Sequence, residues 1–360
     1  VILTVNTGSG SVKADLVADD DQVVASAHLD SPSTEEALDA LSDLADRASD
    51  LTAVGHRLVH GGPDVTRPVV ADAQTLAAAR AAESLAPLHV PPALRFLKAL
   101  SDRLDTVPQV LCPDTAFHRD LPEHAATYAL PAEWRDEYGL RRYGFHGLSY
   151  SWALSRTAAL LDRPESEVDA VLTHLGGGCS VCAVRAGRSV DTSMGFTPLD
   201  GVPMSKRSGA VDPGLLLWLQ REAGLTAEEV EDGLNHRSGL LGLSRGESAD
   251  TRDLVASDSP AAQLAMTAFT HRVRREIAAS TTNLTRLDAL VFTGEIGWDQ
   301  PEVRTAVTEG LHLLGIPTII SDNSPVDAVL TPPDSAVAVL VVEPREELAI
   351  AHATRSAIGA

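Results

Sequence analysis

Residues 174 to 207, HLGGGCSVCAVRAGRSVDTSMGFTPLDGVPMSKR, hold the densest set of residues with chemical potential in this chain. Gly176, Gly177 and Gly178 sit between two short apolar runs, and successive glycines leave bare backbone N–H groups that a phosphate can approach. Asp191, Pro198 and Arg207 follow. Phosphoryl transfer to a small acid needs cations for the equatorial oxygens, a metal held by carboxylates, and in-line geometry. Arg207 and Arg57, the latter in GHRLVHGG beside His60, Gly61 and Gly62, are the candidate cations; an arginine taken alone is more often a surface residue, and the adjacent glycines weaken that reading. His89 in LAPLHVPP, His146 in YGFHGLSY and His174 in THLGGG each lie in an apolar or glycine-rich setting. One such histidine is ordinarily a hydrogen-bonded core residue, but three near strand ends or loops point to convergence. A carboxylate acceptor needs no base, so the expected role is hydrogen bonding to developing charge. For a metal, Asp114 in VLCPDTAFH and Glu346 beyond AVAVLVVEP follow strands, where α/β sheets present ligands. Two acids suffice for magnesium, which keeps several waters; Glu346 reads equally as an acid in the first turn of a helix.

These residues require a scaffold, and the chain offers a repeated one. VILTVNTGSGSVKADLV reads as strand, glycine turn, strand, with VVASAHL as a third, and DAVLTHLGGGCSVCAVRAGRSV repeats that order, with Asn6 and His174 at matching points. Strands TAVGHRLV, PQVLCPD, DALVFTG, PTIIS and AVAVLVVEP alternate with helices. SPSTEEALDALSDLADRA offers Ser33 or Thr34 as a cap with Glu35 and Glu36 in the first turn. Pro213 and Pro260 open further helices, Gly224 closes one, and a last helix starts near Glu346. Alternating strands and helices predict an α/β protein of two related halves facing across a cleft.

Composition bounds the function. A chain of 360 residues is two domains' worth at ~150 residues each. Its 29 basic and 50 acidic residues give a net charge of −21, which argues against nucleic acid or an anionic membrane as partner. Three cysteines are too few for a secreted disulfide framework. Cys179 and Cys182 have a C-x-x-C spacing that could serve zinc or redox chemistry, but no second pair exists and both lie in the apolar run CSVCAV, as buried strand residues would. No apolar run of ~18 residues appears and the first residues lack the build of a signal peptide, so a soluble, cytoplasmic protein is expected.

GHRLVHGG, LAPLH, DTAFH, YGFHG, the HLG-glycine loop, DTSMGFTPLDG and REELAIA together resemble the acetate kinase family, which includes propionate and butyrate kinases, within the sugar kinase, Hsp70 and actin superfamily. The likeness runs from Asn6 to about Ala351, and DTSMGFTPLDG is its most specific segment. It implies two duplicated actin-like (ribonuclease H-like) domains flanking a cleft, residues 1–118 with 347–360 and residues 119–346. It implies an enzyme that uses Mg2+ and ATP to phosphorylate a short carboxylic acid, acting as a homodimer. By the same resemblance Arg57 and Arg207 hold the carboxylate and the transferring phosphoryl group, His146 stabilises the transition state, and Asp114 orients an arginine or the metal. Asn6 and Glu346 match the metal side; Ser9, Ser11 and Lys13 match a metal- and phosphate-facing group. Val59, Leu88, His89, Phe145 and Pro198 match the acceptor side. His174, Gly176, Gly177, Gly178, Asp250, Arg252, Gly294, Glu295, Ile296 and Gly297 match the nucleotide side.

The chain also departs from the family pattern. Gly177 stands where asparagine is usual, and FTGEIGWDQ places Glu295 where the family has glycine and Trp298 and Asp299 where it has Glu-Asn. A carboxylate 4 Å from a phosphate charge is repulsive by ~1 to 4 kcal/mol, depending on the effective dielectric. Lys206, Ala210 and Val90 replace a usual Thr, Asp and Asn. Three readings therefore stand: an ATP-dependent acetate kinase, a kinase using pyrophosphate, another nucleotide or another acid, and a non-catalytic ligand-binding relative.

Overall fold

The computed structural model describes residues 1–8, 11–48, 50–319 and 326–359. They divide into two compact units, one of Val1–Arg119, Phe145–Trp152 and Arg345–Ala360, the other of Asp120–Gly144 and Ala153–Pro344. Phe145 and His146 thus belong to the first unit, although the sequence places them beyond its long first segment.

The first unit is built on a six-stranded mixed sheet of order β3-β2-β1-β4-β6-β5, comprising β1 (Ile2–Thr7), β2 (Ser11–Val17), β3 (Val23–Asp30), β4 (Ala53–Leu58), β5 (Val69–Val70) and β6 (Gln109–Pro113). The alternation of β1 decides its faces. Leu3 and Val5 pack with Leu41, Leu44, Phe96 and Leu100 from helices Thr34–Asp46 and Val90–Arg103. Ile2 points the other way and packs with Leu348 and Ala351 of helix Glu346–Ile358. That helix lies close because Gly55 has no side chain: a Cβ there would stand 2.1 Å from the Thr354 hydroxyl oxygen. Of the two candidate caps, Ser33 closes the first helix in a reciprocal capping box with Glu36.

The second unit repeats this plan. Its sheet comprises β7 (Ala170–Leu175), β8 (Cys179–Arg185), β9 (Arg188–Thr192), β10 (Ala289–Thr293), β11 (Ala328–Val329) and β12 (Ala338–Val341), in the order β11-β12-β10-β7-β8-β9. Read from the other edge, every neighbour has the orientation of its counterpart. β1, β4 and β6 run parallel, as do β7, β10 and β12; the hairpin strands and the short edge strands are antiparallel. β7 and β10 are buried along their whole length, as strands covered on both faces must be.

One expected strand is absent where it can be seen. In PTIIS, Pro317–Ile319 is irregular, because the Ile319 backbone bonds to the side chains of Thr305 and Thr308 instead of to a neighbouring strand; residues 320 and 321 lie outside the described ones. All three cysteines are buried and free, and Cys179 and Cys182 lie in β8. No described helix is long and apolar enough to cross a membrane.

Candidate active site

In the first unit the parallel strands β1, β4 and β6 bring their carboxyl ends side by side, and each delivers one polar residue: Asn6, Arg57 and, directly after β6, Asp114. Arg57 Nε and Nη2 both donate to Asp114 Oδ2, at 2.9 and 2.7 Å. Its Nη1 donates to Asn6 Oδ1 at 2.9 Å and lies 3.4 Å from Glu346 Oε2, to which Asn6 Nδ2 donates at 2.7 Å. Glu346 reaches this point as the first residue of its helix. Glu346 is thus a first-turn residue of its helix that also meets Asn6 and Arg57.

One guanidinium and two carboxylates leave this cluster net negative. Burial works against the Arg57 cation, but Asp114 and Glu346 hold its pKa above the ordinary arginine value. Burial pushes the Asp114 carboxyl up, against the pull of Arg57, and the Glu346 charge adds to that push. Asp114 is fully buried and the Arg57 side chain is 14% exposed, so the guanidinium is fixed in one orientation but still reachable. Asn6 and Glu346 supply the hard oxygen donors that magnesium takes, alongside water. No group of three or more His, Cys, Asp or Glu residues capable of holding a metal occurs among the described residues, which is no obstacle for an ion that needs one or two carboxylates.

His146 stands beside this cluster. It has φ +59, a left-handed conformation that costs a non-glycine residue, and it is 8% exposed. The next residue packs closely on the cluster: a Cβ on Gly147 would lie 2.0 Å from the Asp114 carbonyl oxygen. Phe145 is buried, its carbonyl bonded to His118 Nε2 at 2.9 Å and its ring edge-on to His60 at 5.3 Å. His118 and His60 therefore position Phe145, a role that their isolated places in DTAFH and LVHGG did not reveal. Val59 is buried, Leu88 is half exposed, and His89 is the N-cap residue of helix Val90–Arg103. Lys13 pairs in register with Asn6 across β1 and β2, Ser11 opens β2, and Ser9 lies outside the described residues.

The second unit offers backbone where the first offers charge. His174, paired with Ser180, ends β7, and Gly176 N–H bonds to the Gly178 carbonyl in the turn that follows. β10 runs alongside and is followed at once by Gly294, whose φ of +78 and would-be Cβ 2.4 Å from the Leu175 oxygen leave room for glycine alone. The Glu295 backbone nitrogen comes 3.6 Å from the Cβ position of Gly176, so the two turns meet. Ile296 and Gly297 are buried behind them. Asp250 caps helix Thr251–Ala256, Arg252 pairs with Asp299 at 2.6 Å, and Thr251 donates to Gln300 at 2.6 Å. These contacts join Asp250 and Arg252 to the 294–299 turn. Arg207 Nη1 donates to the Pro198 carbonyl at 2.8 Å, and its charge reaches the Cys179 thiol at the start of β8.

A family model described as the acetokinase family matches residues 31–352. An acetate kinase of Deinococcus deserti is 43% identical over 86% of this chain and 78% of its own length, and one of Nostoc punctiforme is 39% identical over 97% and 86%. A crystal structure of Porphyromonas gingivalis acetate kinase superposes with a TM-score of 0.89 at 32% identity, covering 99% of both chains. A propionate kinase from Francisella tularensis gives 0.90, also at 32% identity and 99% of both chains. The chain belongs to the acetokinase family.

Within that family the departures of this chain acquire positions. Gly177 has open space where a side chain would project and no left-handed backbone, so only the side chain is missing, not the room for it. Glu295 is exposed at the first turn of helix Gly294–Asp299, and its charge is felt at Arg252, so the added acid has a cation for a neighbour. Trp298 Nε1 is buried without a hydrogen-bond partner. Lys206 and Ala210 are exposed on the stretch that carries Arg207.

Proposed function

We propose that this acetokinase-family chain catalyses reversible in-line transfer of the terminal phosphoryl group of ATP to acetate or propionate. A carboxylate oxygen of the acid attacks the γ-phosphorus, the bond to the β,γ-bridging oxygen breaks, and an acyl phosphate and ADP result. Arg57 takes the acid's carboxylate, oriented by Asp114. Val59, Leu88, His89, Phe145 and Pro198 contact the acid and its alkyl group. Arg207 and His146 donate hydrogen bonds to the charge developing on the transferring group, and no general base is required. Lys13, His174, Gly176, Gly177, Gly178, Asp250, Arg252, Gly294, Glu295, Ile296 and Gly297 serve the nucleotide. Asn6 and Glu346 would hold Mg2+, which when bound neutralises phosphate charge. The two units are proposed as actin-like domains with boundaries near residues 118 and 346, in a cytoplasmic homodimer; sedimentation velocity of the purified chain tests the dimer.

The observation that carries this reading is the Arg57 guanidinium held by Asp114, Asn6 and Glu346 at the ends of three parallel strands of a family member. Trapping acyl phosphate with hydroxylamine tests it, with acetate, propionate and butyrate crossed with ATP, GTP and pyrophosphate. Hydroxamate is expected with ATP and the two shorter acids. Formation with GTP or pyrophosphate alone would move the reading to another donor. No hydroxamate in any combination would leave a binding protein.

A further inference from the structure

The segment Asp120–Gly144 carries none of the residues assigned above, yet it grips the loop that bears Pro198. Arg142 Nη1 donates to the Ser193 carbonyl at 3.1 Å and pairs with Asp200 Oδ2 at 3.4 Å, so one guanidinium ties both ends of residues 193–200. Its plane covers the Tyr128 ring, 5.5 Å from the centroid, and the Tyr128 hydroxyl accepts from Phe196 N–H at 2.8 Å in the middle of the same loop. Tyr143 N–H donates to the Gly195 carbonyl at 3.1 Å. Gly195 lets these groups close in: a Cβ there would lie 2.2 Å from the Tyr128 hydroxyl and 2.6 Å from Asp200 Oδ2, so either side chain would have to shift.

The clamp is itself braced. Thr127 and Arg141 form a β-bridge, Arg142 N–H donates to the Ala126 carbonyl at 2.8 Å, and Arg135 donates to the Tyr128 carbonyl at 3.0 Å. Arg142 is also the cation beside the acids of this loop, its charge reaching Asp191 as well as Asp200. The far side of the loop is the Pro198 carbonyl, which accepts from Arg207. Both contacts leave the single Nη1, so lysine could keep part of them, but its compact ammonium lacks the planar guanidinium that lies over the Tyr128 ring.

We propose that Arg142 and Tyr128 are positioning residues for the acceptor half-reaction: they hold residues 193–200 in the shape that presents Pro198 and, through its carbonyl, orients Arg207. This rests on the reading that Pro198 and Arg207 serve the acid and the transferring group. Neither side chain is placed in contact with substrate.

The test is steady-state hydroxamate formation by the full chain and its R142Q, R142K and Y128F variants, varying acetate at saturating ATP and ATP at saturating acetate, with Tm measured for each. R142Q is expected to raise the acetate KM about tenfold, with the ATP KM within about twofold of the parent, since a hydrogen bond to a charged group is worth roughly one such factor. R142K should fall between R142Q and the parent, and Y128F should raise the acetate KM several-fold. An acetate KM unchanged in R142Q, or acetate and ATP KM values rising together, would overturn the proposal. If R142Q does not fold, Y128F decides by the same split, because it removes one hydroxyl. A parent that makes no hydroxamate overturns the phosphoryl-transfer reading and this proposal with it; an active parent with an unmoved split overturns this proposal alone.

Discussion

Replacing Asp114 with asparagine removes one charge without changing volume, and the structure gives the size of the effect. Both strong bonds from Arg57 end on a single oxygen, at 2.9 and 2.7 Å, in a fully buried position. Charge-assisted hydrogen bonds are worth ~1.5–3 kcal/mol against ~1 for neutral ones, so two of them lose ~1–4 kcal/mol between them. Two effects limit the loss. The Asp114 carboxyl is pushed up by burial, so neutralising it relieves a desolvation cost, and Arg57 keeps Glu346 as a partner at 3.4 Å. A net loss at the lower end of that range, ~1–2 kcal/mol, follows, below the ~3–5 kcal/mol of a buried pair broken outright. At ~2–4 °C per kcal/mol the expected fall in Tm is roughly 2–8 °C.

The reverse change should cost more, because Arg57→Gln leaves a buried carboxylate facing a second carboxylate with no cation between them. Differential scanning calorimetry on the parent, D114N, R57Q and the double variant closes a thermodynamic cycle. The double variant should be more stable than the sum of the single losses by ~2 kcal/mol. Turnover is a second readout: a guanidinium loosened by an ångström should cost D114N ~100-fold in kcat. Losses that add within ~0.5 kcal/mol, or a D114N Tm within ~1 °C of the parent, would refute the reasoning that Asp114 acts through Arg57.

Gly177→Asn enters open space without backbone strain, so Tm should stay level or rise slightly, and isothermal titration should show ATP bound several-fold more tightly; weaker binding would refute the view that the loop lacks only a side chain. His56 is fully buried, its Nε2 bonded to Gln109 and its Nδ1 without a partner, and burial lowers its pKa to about 4. The unfolded chain therefore binds the extra proton first, and stability should fall by ~3 kcal/mol as pH drops from about 6.5 to 4; H56Q should flatten this limb in urea titrations at stepped pH. Burial pushes the thiols of Cys112, Cys179 and Cys182 up to about 12, so at pH 8 a thiol reagent should react with none of them in the folded chain and with all three in denaturant.

What could be read from the sequence divides along physical lines. Ser33, Pro213 and Pro260 marked helix starts correctly because capping and proline effects are local. Alternation placed the long strands, but Val69–Val70 and Ala328–Val329 are too short to carry a period. The PTIIS run failed because an apolar stretch does not say whether its backbone will meet a strand or the threonines of a helix. Asn6, Arg57 and Asp114 could be singled out as strand-end residues, but Glu346 joins them across most of the chain's length, and no spacing encodes that. Arg142 and Tyr128 gave no signal at all: they lie in an irregular, polar stretch, and their meaning exists only in the loop they touch.

The duplication explains why the two halves of one reading draw on different chemistry. By strand register, His174 faces Thr293 across β7 and β10, and at the matching place, one residue beyond the last pair Val5–His56 of β1 and β4, Arg57 donates to Asn6. The same topological point therefore carries a guanidinium in one copy and a short buried hydroxyl in the other. A long charged side chain at a strand end needs counter-charges, and the first copy surrounds Arg57 with Asp114 and Glu346. A short residue there lets the following turn collapse onto the neighbouring strand, as Gly294 does against Leu175, while Gly177 in the adjoining turn stays exposed. On the proposed reading the first arrangement pairs one fixed guanidinium with a small carboxylate, and the second admits a phosphate chain by close approach. An arginine at position 293 should then abolish the second arrangement, because its side chain would fill the space that the short Thr293 leaves at the end of β10. T293R that kept nucleotide binding would show that the length of this one side chain does not divide the two roles.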